Sequence, residues 1–214
     1  MTINKTVLSI IAIGTIILLP HAELIPFFGY SIPILLFIRF VLKYTNESFS
    51  DIGFSFKPFK PNTILFGGLI AILTLAFMQL IFHPVLDYFV SLDYNDSGLN
   101  DTIQSEKLQF FIMVIMGWLI GGFYEEIVFH GFIFTRLEKI IKGKYSTSIS
   151  AFATIIIFGF YHIQLGALGL INALVVGAVY LALFLYYKRN LWYSIFCHGF
   201  YNTMVMTLIY YDYL

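Results

Sequence analysis

The chain has 214 residues, of which 59% are hydrophobic, 19% aromatic and only 11% charged, and its formal net charge is zero. A soluble domain carries charge on about a quarter of its residues, and a fold of this size cannot hide so much apolar surface from water. The composition therefore excludes a soluble globular domain and predicts an all-α, polytopic membrane protein. The balanced charge gives no reason to expect a nucleic-acid partner. The single cysteine, Cys197, excludes an intrachain disulfide and a cysteine-based zinc cluster.

Apolar runs along the chain predict about seven membrane-spanning helices. A span needs roughly 20 residues, because about 30 Å of hydrocarbon is crossed at about 1.5 Å per residue. The predicted spans cover residues 6–20, 25–43, 62–89, 108–137, 147–164, 167–187 and 190–210. The first run is short, but we interpret it as a membrane helix, because "PHAEL" is a poor signal-peptide cleavage site and the remaining chain is equally apolar.

Polar or turn-forming segments connect these spans. Residues 45–62 form a loop that ends in two prolines, residues 91–106 are acidic and rich in Asn and Ser, and residues 142–148 are basic. If seven helices alternate from an N-terminus inside the cell, eleven of the twelve lysines and arginines lie on the inner side, and Lys107 lies outside. This distribution follows the positive-inside rule and predicts an inside N-terminus.

Few ionisable side chains lie inside the predicted spans. Glu125, Glu126 and His130 lie on the fourth span, His162 on the fifth and His198 on the seventh. An acid at the centre of a membrane costs roughly 2.5–3.5 kcal/mol on insertion scales, and two adjacent acids cost more unless one is protonated or both have partners. We therefore expect a functional site here. The alternative is a structural polar cluster that locks the helices together.

Residues four apart share one face of a helix, and three such pairs contain these polar groups. They are Glu126 with His130, Phe158 with His162, and His198 with Asn202. Counted from the basic flank of each span, the polar groups lie roughly 12–27 Å from the inner edge, which predicts one site near the middle of the membrane. His21 and His83 have no evident partner, and we predict no role for them. Small residues that let helices approach closely in lipid precede the acids, at Gly117, Gly121 and Gly122.

These side chains allow two kinds of hydrolytic chemistry. A buried carboxylate beside a like-charged neighbour can act as a general base on water. A histidine across the gap can hold the water or shuttle the proton, and a second histidine and an amide can donate to a developing oxyanion. The same residue types could instead hold a divalent metal such as Zn²⁺, although no HExxH spacing is present. The residues alone leave both modes open.

The segments "EEIVFHG", "FGFYH" and "HGFYN", in this order, resemble the motifs of the CPBP family of intramembrane proteases. This family includes the type II CAAX prenyl endopeptidases and the bacterial Abi or bacteriocin-processing proteins. Its pattern is E-E-x-x-x-R, then F-x-x-x-H, then H-x-x-x-N or D on successive membrane helices. The resemblance covers about residues 108–205. It implies a catalytic helix bundle over residues 108–214, preceded by N-terminal membrane helices and loops over residues 1–107, within a single integral membrane domain.

The resemblance implies a role for each matching position. Glu125 is implied as the general base that activates water, with His162 beside it, and Glu126 as the supporting second acid. His198 and Asn202 are implied to form the oxyanion-binding side. The family is often described as metalloproteases, although a metal-free glutamate mechanism is also proposed for it. If a divalent metal such as Zn²⁺ is bound, Glu125, His162 and His198 are its implied ligands.

The chain departs from the family pattern at one position, where His130 stands in place of the arginine. Arginine is always charged and binds a carboxylate through two N–H groups, whereas the charge of histidine depends on pH. We expect histidine to match the i+4 reach to Glu126 less well. If His130 supports the second acid only when protonated, activity falls at alkaline pH. Phe158 is implied as a packing residue of its motif, and Arg136 lies too far along the helix to replace the missing arginine.

The resemblance implies a multi-pass endopeptidase of the bacterial plasma membrane, acting on a peptide, a lipidated protein or a membrane-associated substrate. Two other classes fit the same residues. One is a non-catalytic immunity or scaffold protein that keeps the polar cluster, and the other is a proton-coupled carrier that uses the acids and histidines as a relay. Loss of proteolysis in Glu125→Gln or His162→Ala discriminates the enzyme from the other two.

Overall fold

The computed structural model of the chain describes residues 4–22, 27–90 and 99–213. In these ranges every regular element is helical, and no strand is present. The α-helices are α1 (Lys5–His21), α2 (Ser31–Tyr44), α3 (Pro61–Phe77), α4 (His83–Phe89), α5 (Leu99–Ser105), α6 (Lys107–Met116), α7 (Phe134–Ile140), α8 (Ser146–Tyr161), α9 (Gly166–Tyr186) and α10 (Leu191–Tyr210). Two π-helical segments, Met78–Phe82 and Gly117–Ile133, join α3 to α4 and α6 to α7. Three short 3₁₀ turns lie at Phe27–Tyr30, Phe49–Ile52 and Ile163–Leu165.

The predicted spans all fall on helices, although residues 25 and 26 of the second one lie outside the described ranges. Three continuous helices are long and apolar enough to cross a membrane, namely Pro61–Phe89, Lys107–Ile140 and Ile163–Tyr186. Lys5–His21 and Ser146–Tyr161 are shorter apolar helices. These helices define an integral membrane protein, whereas the count of seven spans remains a prediction.

The predicted acidic connection differs from the structure in its second half. Residues 91–98 lie outside the described ranges, and residues 99–105 form the short helix α5. This helix is held to the end of α10, because the Gln104 side chain donates to the backbone oxygen of Ile209 at 2.8 Å. Ile103 on the same helix is fully buried. The prediction of a loop was wrong for residues 99–105, because their polar composition gave no sign that Ile103 is buried and that Gln104 is bonded to α10.

The fourth predicted span contains an unusual element. Residues Gly117–Ile133 form a π-helix of 17 residues, whose hydrogen bonds run between residues five apart rather than four. Such segments are usually single turns and are frequent at functional sites. This one is buried over most of its length and contacts α2, α8, α9 and α10. It therefore places the two acids at the centre of the bundle.

Helix α10 packs closely along this π-helix, where Gly122 was predicted as a contact point and Gly199 was not. A Cβ atom on Gly122 would lie 3.3 Å from Cα of Gly199, and one on Gly199 would lie 2.4 Å from the ring of Trp118. The indole N–H of Trp118 also donates to Oγ1 of Thr203 at 2.9 Å. Another part of α10 packs on α3. The close approach of the two helices brings His198 within reach of the acids.

Charged side chains join several helix ends at one end of the bundle, which we call the basic end. Lys5, at the start of α1, donates from Nζ to the backbone oxygen of Thr45, just after α2, at 3.3 Å. Arg189, in the turn between α9 and α10, makes two hydrogen bonds of 2.7 and 2.8 Å to Glu138 in α7. The positive-inside rule predicted that Lys5 and Arg189 lie on the same side of the membrane. The side of the membrane that the basic end faces remains a prediction.

Candidate active site

The two acids of the π-helix are both buried but have different partners. Glu126 is fully buried, and its two carboxylate oxygens accept hydrogen bonds from Nδ1 of His130 at 2.8 Å and from Nδ1 of His198 at 2.9 Å. Because an ionised carboxylate only accepts hydrogen bonds, these contacts assign a proton to Nδ1 of each ring. Glu126 thus has a donor on each oxygen and holds two imidazole rings in place.

Glu125 faces the Nε2 atoms of His162 and His198. Its Oε2 lies 3.7 Å from Nε2 of His162 and 4.0 Å from Nε2 of His198. Both distances are too long for a direct hydrogen bond, and they suit two groups bridged by one water molecule at about 2.8 Å from each. Glu125 keeps 7% of its surface exposed, whereas Glu126 keeps none.

His162 lies at the C-terminal end of α8, where its ring is fixed by the backbone. Its Nδ1 lies 2.8 Å from the backbone oxygen of Phe158, and since a carbonyl oxygen only accepts, Nδ1 carries the proton. In their neutral forms, His162 and His198 therefore both present an Nε2 lone pair towards Oε2 of Glu125. Three acceptor atoms converge on one space, which suits a donor such as water.

Asn202 joins the site one turn further along α10 from His198. Its Nδ2 donates to the backbone oxygen of Gly117 at 3.4 Å. A Cβ atom on Gly121 would lie 2.4 Å from Nδ2 of Asn202 and 3.0 Å from Nε2 of His198. The amide and the imidazole therefore share the space beside Gly121, and only a residue without a side chain leaves that space open. The structure thus brings together the predicted residues Glu125, Glu126, His162, His198 and Asn202.

Aromatic rings support the histidines, and sequence reasoning found only one of them. The Tyr180 ring stacks on the His198 ring, with 4.3 Å between centroids and 19° between planes. Phe158, which was predicted as a packing residue, is buried and packs its ring 4.6 Å from that of His162. Tyr180 had no sequence signal, because an aromatic residue in an apolar span is ordinary.

Three tyrosines form a second aromatic group beside Glu125, which sequence reasoning also missed. The hydroxyl of Tyr161 donates to that of Tyr30 at 3.5 Å, and the rings of Tyr30 and Tyr124 meet edge to face at 6.0 Å. All three lie near enough to Glu125 to interact with its charge. Tyr124 and Tyr161 each directly precede a predicted site residue, which is a signal that the sequence did offer.

His130 makes a direct contact with Glu126, at 2.8 Å between Nδ1 and Oε2, and both side chains are fully buried. The expectation that histidine would match this reach less well was therefore wrong. Its other nitrogen, Nε2, is buried without a hydrogen-bond partner among the described residues. The ring lies 5.3 Å from that of Phe158 and 6.2 Å from that of Tyr180. Two aromatic rings thus surround an imidazole that donates from Nδ1 to Glu126.

The two histidines without a predicted role prove to have partners. Nε2 of His83 lies 2.9 Å from Oδ1 of Asn172, which ties α4 to α9. The ring of His21 meets that of Tyr161 edge to face at 5.2 Å. The expectation that they lack partners was wrong, because the partners come from helices distant in the sequence.

A metal ion was the alternative use of this site. Glu125, His162 and His198 have donor atoms of the types that bind zinc. Within residues 4–22, 27–90 and 99–213, however, no group of three or more His, Cys, Asp or Glu side chains is arranged to hold a metal ion.

The long apolar helices and the buried polar site together define an integral membrane protein with a polar site between its helices. Residues 107–204 match the model of the family described as "Type II CAAX prenyl endopeptidase Rce1-like". The matched segment contains α6, the π-helix, α7, α8, α9 and every predicted site residue. This match supports a CPBP family intramembrane protease, the family whose motifs the chain's three segments resemble. No curated protein and no solved structure matches the chain.

Proposed function

We propose that the chain is an intramembrane endopeptidase that hydrolyses peptide substrates through a water molecule activated by Glu125. The observation that carries this proposal is the convergence of Oε2 of Glu125 with Nε2 of His162 and Nε2 of His198, at 3.7 and 4.0 Å. A water molecule between these atoms could donate one proton to Glu125 and the other to Nε2 of His162. Its oxygen would then be directed at a carbonyl carbon held on the other side.

In the proposed reaction, Glu125 removes a proton from the water while the water oxygen adds to the scissile carbonyl carbon. The carbonyl then re-forms as the C–N bond breaks, and the proton held by Glu125 passes to the leaving amine. The carboxylate is regenerated, and the products are a free acid and a free amine. His162 positions the water throughout. General acid–base catalysis of this kind contributes about 10²–10⁴-fold in rate.

Asn202 and His198 are proposed to stabilise the oxyanion. The Asn202 amide has a second N–H besides the one that it directs at the backbone oxygen of Gly117. His198 would donate from Nε2 in its protonated form, and Glu126 orients the ring by accepting from Nδ1. Both groups adjoin the space beside Gly121. Removing one donor of this type costs about 10²–10³-fold in kcat.

The substrate is proposed to be a membrane-associated or lipidated peptide segment. The match to a family of prenyl endopeptidases supports this class. The site also lies on a continuous helix that is long and apolar enough to cross a membrane, so the scissile bond would be cut at or within the bilayer. We further propose an N-terminus inside a bacterial cell, with the basic end facing the cytoplasm.

The test is a comparison of peptides from cells that carry the wild type, Glu125→Gln or Glu138→Gln. Glu138 lies on the same continuous helix and pairs with Arg189 at the basic end, so it provides the same substitution outside the site. We expect the products to disappear in Glu125→Gln and to persist in Glu138→Gln at equal amounts of membrane-inserted protein. Cleavage that persists in both Glu125→Gln and His162→Ala would refute the peptidase.

The same variants test the two alternatives. A phenotype that survives in Glu125→Gln would favour a non-catalytic immunity or scaffold protein, in which the hydrogen bonds of Glu126 only lock the helices together. Proton-driven solute flux into proteoliposomes, lost in Glu125→Gln, would favour a carrier.

A further inference from the structure

A polar cleft lies at the basic end, on the α7 side of the π-helix. Its volume is about 300 Å³, and it lies between the start of α1, the segment after α2 and the last turn of α7. Its charged and hydroxyl-bearing lining includes Lys5, Thr6, Ser9, Glu47, Arg136 and Lys139. Nothing in the proposed peptidase reaction uses these residues.

Positive charge exceeds negative charge in this cleft. Three cationic side chains and one acid, Glu47, line it, which leaves a net charge of +2. Glu47 is shared between Arg136, at 2.6 Å, and Lys139. The nearby acid Glu138 is paired with Arg189 and so does not neutralise the cleft. An anion would complete this arrangement.

Arg136 adds a buried donor without a partner to the cleft. The residue is only 2% exposed, and its Nη2 pairs with Glu47 at 2.6 Å. Its Nε has no hydrogen-bond partner among the described residues. A buried donor of a charged group is unfavourable without an acceptor, and an oxygen of a phosphate or carboxylate is such an acceptor.

We propose that this cleft binds the phosphate of an anionic phospholipid headgroup. The cleft lies at the ends of membrane helices, which is the level of lipid headgroups, and basic pockets between such helices bind anionic headgroups. The side chain of Lys139 is 49% exposed, so charge is available at the mouth while Arg136 provides the buried donor. Several cations around one ligand favour a phosphate over a single carboxylate.

The cleft is separate from the proposed peptidase site. Arg136 follows Glu126 by ten residues on one continuous helix, which places it more than two helical turns away. The sequence excluded Arg136 as a substitute for the family's arginine, and the cleft gives this buried cation a different role. Lipid binding here does not depend on peptidase activity, so its test measures binding alone.

The test measures lipid binding to the full-length protein in neutral detergent, by native mass spectrometry and by thermal shift. The probes are phosphatidylglycerol, phosphatidylcholine and inorganic phosphate. The double variant Lys5→Gln/Lys139→Gln removes two charges from the cleft, and Lys142→Gln/Lys144→Gln removes two exposed charges from the loop that follows α7. Arg136 is kept, because its loss would also remove a partner of the partly buried Glu47.

We expect the wild type to bind phosphatidylglycerol about tenfold more tightly than phosphatidylcholine. The cleft variant should lose about tenfold or more of its phosphatidylglycerol affinity, because each basic residue near an anionic headgroup contributes about fivefold. The loop variant should stay within about twofold of the wild type. Equal losses in both double variants would overturn the proposal, since general charge would then explain the binding. Equal stabilisation by inorganic phosphate alone would also overturn it, by assigning the cleft to a free anion.

Discussion

Adding one methyl group at Gly121 should lower activity about 10²-fold without unfolding the protein. The Cβ of an alanine there would lie 2.4 Å from Nδ2 of Asn202 and 3.0 Å from Nε2 of His198. His198 is held by a hydrogen bond to Glu126 and by stacking on Tyr180. The Asn202 amide is therefore the group that moves, and it must withdraw by about 1 Å to reach an ordinary contact.

The magnitude follows from the role proposed for that amide. A misplacement of about 1 Å costs about 10²-fold in rate, and complete loss of one oxyanion donor costs about 10²–10³-fold. We therefore expect kcat/KM of Gly121→Ala to fall by about 10²-fold. The fold should change little, because the methyl group meets the ends of two side chains rather than backbone atoms.

Gly122→Ala is the matched control, one position along the same helix. Its Cβ would meet backbone atoms of α10, with the oxygen of Ile195 at 3.2 Å and Cα of Gly199 at 3.3 Å. This variant should push the helices apart and lower the melting temperature. The assay is cleavage of a fluorogenic peptide by purified protein, with melting followed by tryptophan fluorescence. Wild-type kcat/KM in Gly121→Ala, or a loss no larger than its loss of folded protein, would refute the reasoning.

The partners of the other site groups provide three more tests. Glu126→Gln should lose stability as well as activity, because its amide leaves a buried imidazole N–H unpaired at a cost of about 1–3 kcal/mol. Glu125→Gln should keep its melting temperature, since its contacts are only 3.7 and 4.0 Å; equal destabilisation of both variants would contradict this division. His130→Gln should show the same alkaline limb of the pH–rate profile as the wild type, because a neutral donor suffices at Glu126. If the alkaline decline instead disappears in both His130→Gln and His130→Arg, His130 acts as a cation. Dialysis against a chelator should leave activity unchanged, and a loss restored by Zn²⁺ would instead assign Glu125, His162 and His198 to a metal.

The residues of the site could be predicted because polar side chains are unfavourable in contact with lipid. An ionisable group within a span must find a partner inside the bundle, and the helical spacing of Glu126 with His130 identified one such pair directly. The same requirement predicted partners on other helices, because His162 and His198 are polar residues at a depth comparable to that of the acids. Three of the helices also meet the length and apolarity that a span requires.

The geometry of the site could not be predicted in the same way. Apolar periodicity does not distinguish a π-helix from an α-helix, so the 17-residue π-helix that orients both acids left no signal. The orientation of the His198 ring depends on Tyr180, which stacks on it from α9. Such contacts between distant segments depend on how the helices pack, and one sequence does not contain that information.

The contacts favour Glu125 over Glu126 as the proposed base. A carboxylate that accepts N–H hydrogen bonds on both oxygens has a stabilised charge and is a weaker base, and Glu126 accepts one on each oxygen. Among the residues that the structure describes, Glu125 has only contacts beyond hydrogen-bond distance, and it keeps some exposure, so a water molecule can reach it. Glu126 also binds Nδ1 of His198 and thereby turns Nε2 of the same ring towards Glu125. One acid thus positions the ring beside which the other acts, and each substitution should stop the reaction for a different reason.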